Sequence, residues 1–142
     1  MTTDTVRLAD GTTPGPQSSP LANPLVYAVV LAWNQLSETL ECLASLQQTL
    51  YHPLHVLLVD NGSSDGTADE VARQFPAVEI ARLPENVGIA RGYNAGVEIA
   101  LERQAEYVMV MNNDTIAAPD LVGHLVQAFR DHPKAGMLMP KI

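Results

Sequence analysis

Leu25-Val26-Tyr27-Ala28-Val29-Val30-Leu31 decides the fold. The run is apolar at every position and rich in β-branched valine. A strand with one wet face would alternate apolar and polar residues. A strand apolar on both faces must be covered on both, as in a parallel sheet layered between helices. The segment after it changes period: Leu36, Leu40, Leu43, Leu46 and Leu50 keep to one helical stripe, which Pro53 closes.

The alternation then continues. Leu54-His55-Val56-Leu57-Leu58-Val59-Asp60 reads as a second strand and Asn61-Gly62-Ser63-Ser64-Asp65-Gly66 as its turn. Thr67 and Glu70 have the spacing of a capping box for a second helix, which Phe75-Pro76 ends. Ala77–Ala81 predicts a short third strand. A third helix carries Ile89, Tyr93, Val97 and Leu101 on one stripe, and Tyr107–Met111 predicts a fourth strand. Pro119 suits the first turn of a fourth helix, which carries Leu121, Val122, Leu125, Val126 and Phe129. Ala135–Met139 predicts a fifth strand. The expected fold class is α/β, a mostly parallel sheet with helices on both faces, over residues 25–142. Residues 1–24 are rich in Thr, Pro, Ser and Gly without either period, and predict a disordered leader.

Composition narrows the function. Of the 142 residues, 46% are hydrophobic and 17% charged, enough apolar material for a real core. A net charge of -8 argues against nonspecific nucleic-acid binding, which needs a basic face. It leaves room for a phosphate-bearing ligand whose charge a divalent cation offsets. The single Cys42 cannot form an internal disulfide, and its place in an apolar stripe predicts a buried, inert thiol. No apolar run approaches the roughly 18–20 residues that span a bilayer, and the N-terminus lacks a basic region followed by an apolar one. The expected location is cytoplasmic, with a membrane-peripheral place for a longer parent left open.

In open α/β sheets, ligands bind outside the carboxyl ends of the strands. Those ends are unusually polar here: Trp33 and Asn34, then Asp60 through Gly66, then Asn86-Val87-Gly88, then Asn112-Asn113-Asp114-Thr115. Asp-Asn-Gly and Asp-Gly are also ordinary turn formers. Asp60 ends an apolar strand, where a carboxylate needs a partner; it can accept from a base or ribose, or cap its own turn. Gly88, Gly92 and Gly96 share one helix face, for tight packing on the sheet, for a ligand at the helix start, or for both. The glycine spacing is not that of a dinucleotide fingerprint, and no phosphate-binding GxxxxGK[ST] is present. The acidic cluster that a receiver-like phosphoacceptor needs after its first strand is also missing.

Asn112-Asn113-Asp114 carries most of the chemistry. Mg²⁺ and Mn²⁺ prefer oxygen ligands. A nucleotide-sugar diphosphate and water supply several, so the protein needs only one or two on a rigid strand end. Asp114 is the natural ligand, and Asn112 or Asn113 suits ribose or a metal-bound water. Alone, the triplet is also an Asx-rich turn into the fourth helix.

Together these segments resemble the family 2 glycosyltransferases, with their GT-A fold and its Rossmann-like nucleotide-binding half. The resemblance runs from Leu25 to Ile142. It rests on Val29-Val30-Leu31-Ala32-Trp33-Asn34, on Val59-Asp60-Asn61-Gly62-Ser63-Ser64-Asp65-Gly66-Thr67, on Glu85-Asn86-Val87-Gly88 through Asn94-Ala95-Gly96, and on Met111-Asn112-Asn113-Asp114-Thr115. It implies that Ala32, Trp33 and Asn34 pack on the nucleoside and that Asp60 binds the pyrimidine. Asn86, Gly88 and Arg91 would lie near the base or diphosphate, with Asn112-Asn113-Asp114 in the place of the family's DXD motif. There Asp114 binds Mn²⁺ or Mg²⁺ and Asn112 approaches the ribose. Two positions depart from the pattern: Asn112 replaces an aspartate, and Tyr93 stands where many members have arginine. The asparagine-rich form is similar to that of rhamnosyltransferase-like members, which implies a UDP- or dTDP-linked donor.

The resemblance further implies inverting transfer of a sugar to an acceptor hydroxyl, on a glycan or lipid-linked sugar, by a carboxylate base. In family members that base and the acceptor site follow the DXD segment. Asp120, His124, Asp131 and His132 supply no good candidate: they read as surface or helix-end residues. The expectation is therefore a donor-binding half, part of a longer protein or free-standing, with a non-catalytic binding or interaction module as the alternative. An apolar sheet edge left open predicts possible self-association.

Overall fold

A computed structural model describes residues 23–140. Eight elements alternate: β1 (Val26–Ala32), α1 (Leu36–Gln47), β2 (Leu54–Asp60), α2 (Thr67–Gln74), β3 (Glu79–Arg82), α3 (Ile89–Glu102), β4 (Tyr107–Asn112) and α4 (Leu121–Asp131). The strands form one parallel sheet in the order β3-β2-β1-β4. This is the α/β architecture expected, and β1 is buried at all seven positions as its composition requires.

The two faces of β1 feed separate cores. Ala28, Val30 and Ala32 pack with Cys42, Leu43 and Leu46 of α1 and Val71 of α2. Tyr27, Val29 and Leu31 pack with Leu57, Val59, and Ala100 of α3. Val26 meets Val122 and Val126 of α4. Cys42 is fully buried, and burial pushes its thiol up to about 11, as expected of an inert side chain.

The leader lies outside the described residues except for its last two positions. There Asn23 donates to the His52 carbonyl at 3.0 Å, and the Tyr51 hydroxyl donates to the Pro24 carbonyl at 2.6 Å, so both residues are tied to the domain.

Four local expectations are corrected. Ala135–Met139 forms no strand; it is irregular, with Met137 and Met139 almost fully exposed. Apolarity does not make a strand without a neighbour to share hydrogen bonds, and β4 bonds only to β1. The buried stripe of α3 is Gly92, Gly96 and Ala100, whereas Ile89 and Leu101 are exposed. A Cβ at Gly92 would stand 2.6 Å from a Leu31 methyl, and one at Gly96 would overlap Val29 and Val59. Small residues bring this helix down onto the sheet. Leu50 lies beyond the end of α1 and is exposed. The Thr67/Glu70 capping box is absent: Asp65 Oδ1 accepts from the Thr67 N–H at 3.0 Å, and Glu70 pairs with Arg73 and Gln74.

Register brings the strand ends together. Ala32 lies opposite Asp60, Leu31 opposite Asn112, and Asp60 opposite Arg82. The chain proceeds outward from β1 to β2 to β3, then returns to place β4 on the other side of β1. That reversal opens a crevice between the carboxyl ends of β1 and β4.

Candidate functional site: the carboxyl rim of the sheet

The rim has two banks. On the first, the loops after β1, β2 and β3 are stitched together by short polar side chains. Ala32 is fully buried, and its carbonyl accepts from the Asn61 N–H at 2.8 Å. Trp33 is 55% exposed, so a large aromatic surface stands at the crevice without covering core.

Asn34 and Gln35 both take left-handed conformations, with φ of 59° and 60°. Two consecutive non-glycine residues there are costly and need support from their surroundings. The second loop provides it. The Asn34 N–H donates to Ser63 Oγ at 2.8 Å, its Oδ1 accepts from the Ser64 N–H at 2.9 Å, and the Leu36 N–H donates to Asp65 Oδ2 at 3.1 Å. Some burial works against the Asp65 charge, but the bonds from Thr67 and Leu36 outweigh it and hold the carboxyl below its ordinary value.

Asp60 is 6% exposed, and its Oδ1 accepts from the Ser63 N–H at 3.0 Å. It does cap its own turn, through one oxygen. The other makes no protein hydrogen bond among the described residues.

Asn61, not singled out from the sequence, joins the second loop to the third. It is 2% exposed. Its Nδ2 donates to Asn86 Oδ1 at 3.0 Å, and its Oδ1 accepts from the Val87 N–H at 3.0 Å. Asn86 Oδ1 also takes the Gly88 N–H at 2.9 Å. Gly62, at φ 74°, allows this closeness, since a Cβ there would lie 2.6 Å from the Glu85 backbone. Gly88, at φ 85°, turns the chain into α3, whose start has no side-chain cap. Of the three glycines on the helix face, Gly92 and Gly96 therefore serve packing, and Gly88 serves the rim. Arg91 is exposed in the first turn of α3 and pairs with no carboxylate among the described residues.

The second bank is the end of β4. Burial alternates there: Met111 and Asn113 are buried, while Asn112 and Asp114 are exposed. Asn113 turns inward, and its Nδ2 donates to Thr39 Oγ1 at 2.9 Å and reaches the Asn34 carbonyl at 3.5 Å. It braces the two sides of the crevice from below. Asn112 and Asp114 share the outer side. The Tyr93 hydroxyl donates to Asn112 Oδ1 at 2.7 Å. Burial, then the nearby Asp114 charge and Cys42, raise this phenol above its ordinary value. The sequence marks Tyr93 as part of a helical stripe and as the place where many family members have arginine, but nothing local pairs it with Asn112.

A concavity of about 520 Å³, lined by Tyr107, Phe129, Arg130 and Ala135 among others, lies at the opposite end of β4. It shares no residue with the rim. Among the described residues, no cluster of three or more His, Cys, Asp or Glu side chains could hold a metal unaided.

Comparison with known proteins agrees with this architecture. The chain is 32% identical over 108 residues to the N-acetylglucosaminyl-diphospho-decaprenol L-rhamnosyltransferase of Mycobacterium tuberculosis, covering 70% of this chain and 35% of that protein. It is 31% identical over 113 residues to the poly-beta-1,6-N-acetyl-D-glucosamine synthase of Staphylococcus aureus, covering 75% of this chain and 26% of that one. It thus spans about a third or less of these relatives. In structure it is similar to the mannosyltransferase PcManGT of Pyrobaculum calidifontis, solved with GDP-Man and Mn²⁺, at TM-score 0.69 and 25% identity over 83% of this chain and 36% of that one. The S. aureus TarS 1-349 structure with UDP-GlcNAc has the same fold, at TM-score 0.63 and 20% identity over 82% of this chain and 37% of that one. The glycosyl transferase family 2 model matches residues 27–140 of the 142, and the chain therefore belongs to that family.

Proposed function

We propose that this chain is the donor-binding part of a glycosyltransferase that transfers a sugar from a UDP- or dTDP-linked donor to an acceptor hydroxyl with inversion. The observation that carries the reading is the exposed Asn112–Asp114 pair at the crevice where strand order reverses, facing a bank of prearranged loops. The GDP-Man complex of PcManGT and the UDP-GlcNAc complex of TarS support a nucleotide-sugar as the ligand.

The donor set fits a hard divalent cation that shares its ligands with a diphosphate. Asp114 is exposed and offers carboxylate oxygens, and the diphosphate would complete the shell. Mn²⁺ is favoured by the PcManGT complex, with Mg²⁺ as the competitor. When bound, the cation supplies Lewis-acid neutralisation of charge on the departing diphosphate.

The protein's own groups divide the remaining work. Trp33 offers a stacking surface to the base. The free oxygen of Asp60 suits the N–H of a pyrimidine ring. Arg91 and the uncapped start of α3 offer positive charge and free N–H groups to phosphate. Asn86 and Gly88 shape that loop, and Asn34 and Asn113 hold the crevice floor.

The lipid-linked acceptor in the mycobacterial relative's name supports a similar acceptor, met at a membrane surface, for the whole protein. The apolar edge of β4 supports self-association.

Calorimetry with UDP and dTDP tests the reading. Binding should be strengthened by Mn²⁺ or Mg²⁺, and Asp114→Ala should abolish that metal dependence while keeping the fold. A folded wild-type chain that binds neither nucleotide in either metal refutes it. An Asp114→Ala chain unchanged in every binding property favours a non-catalytic interaction module.

A further inference from the structure

We infer that Tyr93 is a positioning residue that sets the polarity of Asn112, so that this strand end presents a hydrogen-bond donor to the nucleotide and leaves metal ligation to Asp114. The inference rests on the nucleotide-sugar reading above and assigns the roles within that site.

An asparagine amide has two different ends, a carbonyl oxygen that accepts and an NH₂ that donates. Only the oxygen end can serve a hard cation. At the exposed end of β4 the amide would rotate freely without a partner. Tyr93 removes that freedom. Its ring packs against the core formed by Tyr27, Val29, Leu31 and α3, which anchors the stem. Its hydroxyl donates to Asn112 Oδ1 at 2.7 Å. The oxygen is thereby engaged from the protein side, and the Nδ2 group has no protein partner among the described residues. One of the oxygen's two lone pairs is spent on this bond, whereas both N–H groups stay free for the crevice.

The placement of Tyr93 makes the contact possible. Gly92 sits against Leu31 with no room for a Cβ, so α3 lies close to the sheet. The next residue along the helix then reaches the end of β4. Tyrosine at 93 and asparagine at 112 make one device: a donor hydroxyl holds an acceptor oxygen and turns the donor amine outward. A phosphate or ribose oxygen is the complementary partner. With a single carboxylate at this corner, the cation's hold on the protein is through Asp114.

The test is calorimetric titration of UDP and dTDP, with and without Mn²⁺, into wild type, Tyr93→Phe and Asn112→Asp, alongside thermal unfolding of each. Tyr93→Phe keeps the ring and loses the hydroxyl. It should weaken nucleotide binding about three- to tenfold, the size of one neutral hydrogen bond, with the ratio of affinities with and without Mn²⁺ unchanged. Asn112→Asp still accepts the Tyr93 hydroxyl but has no N–H to offer. It should unfold near the wild-type temperature, lose affinity in the absence of metal and gain at least threefold in Mn²⁺ dependence, a change that a merely structural role for the pair would not produce. If the wild type binds but Tyr93→Phe binds equally well, or Asn112→Asp keeps the wild-type metal dependence, the assignment is wrong while the donor-binding reading survives. If the folded wild type binds neither nucleotide, both fall together.

Discussion

The two banks of the crevice are built on opposite plans. The bank formed by the loops after β1, β2 and β3 is closed by side-chain bonds: Asn34 to Ser63 and Ser64, Asp65 to Leu36 and Thr67, Asn61 to Asn86 and Val87. Its polar groups are largely spent on the protein itself. The β4 bank is open. Asn112, Asp114 and Ile116 are exposed, one tyrosine hydroxyl steadies Asn112, and the strand's outer edge carries no partner among the described residues. The difference teaches a division of labour. The first bank has already met the ordering cost of a binding surface, which leaves more of the contact energy for affinity. The second keeps charge and hydrogen-bonding capacity free for a ligand.

Substitutions can break that contrast. The largest effect belongs on the closed bank. Asn61→Ala should lower stability by about 2–3 kcal/mol in denaturant unfolding, because the Val87 N–H and the Asn86 amide lose a buried partner. A loss below about 0.5 kcal/mol would mean the loops are not held by this residue.

Next comes the helix that joins the banks. Gly96→Ala should cost about 1–2 kcal/mol by forcing α3 off Val29 and Val59, whereas Gly123→Ala, with open space at its Cβ, should be neutral or slightly stabilising. Equal unfolding midpoints for the two variants would contradict the close approach of α3.

The smallest stability effects belong on the open bank. Asp114→Ala should shift stability by less than about 0.5 kcal/mol, as befits an exposed residue, despite its loss of metal-dependent binding. Val110, 52% exposed on β4, sharpens the contrast in another way. If the open edge drives self-association, Val110→Lys should reduce the mass measured by light scattering at high concentration without changing the unfolding midpoint. A wild-type mass that stays monomeric across concentration removes self-association from the account.

Much of this was legible in the residues. The unbroken apolar run of β1 announced a parallel sheet, because only a strand covered on both faces can be apolar throughout. The polar strand ends announced a shared rim. What misled was local pattern without a neighbour. Ala135–Met139 has a strand's apolarity and no strand beside it. The Ile89, Tyr93, Val97 and Leu101 stripe has a helix's period, yet α3 buries its glycines, because closeness to the sheet gains more contact than larger side chains held further away. Thr67 and Glu70 have the spacing of a capping box, but Asp65 reached the helix start first.

The sequence by itself determined the layer architecture and which residue types stand at the carboxyl ends, since burial on both faces and strand polarity are written into the order of apolar and polar residues. It also marked Asp114 as the carboxylate of the corner. Tertiary structure alone decided what each asparagine does. Asn34, Asn61, Asn86 and Asn113 all brace backbone or neighbouring loops, while Asn112 is left facing the crevice. An amide can donate or accept, toward protein or toward ligand, with equal ease. Which of these it does depends on neighbours that are distant along the chain: Tyr93 beside Asn112, and Thr39 beneath Asn113.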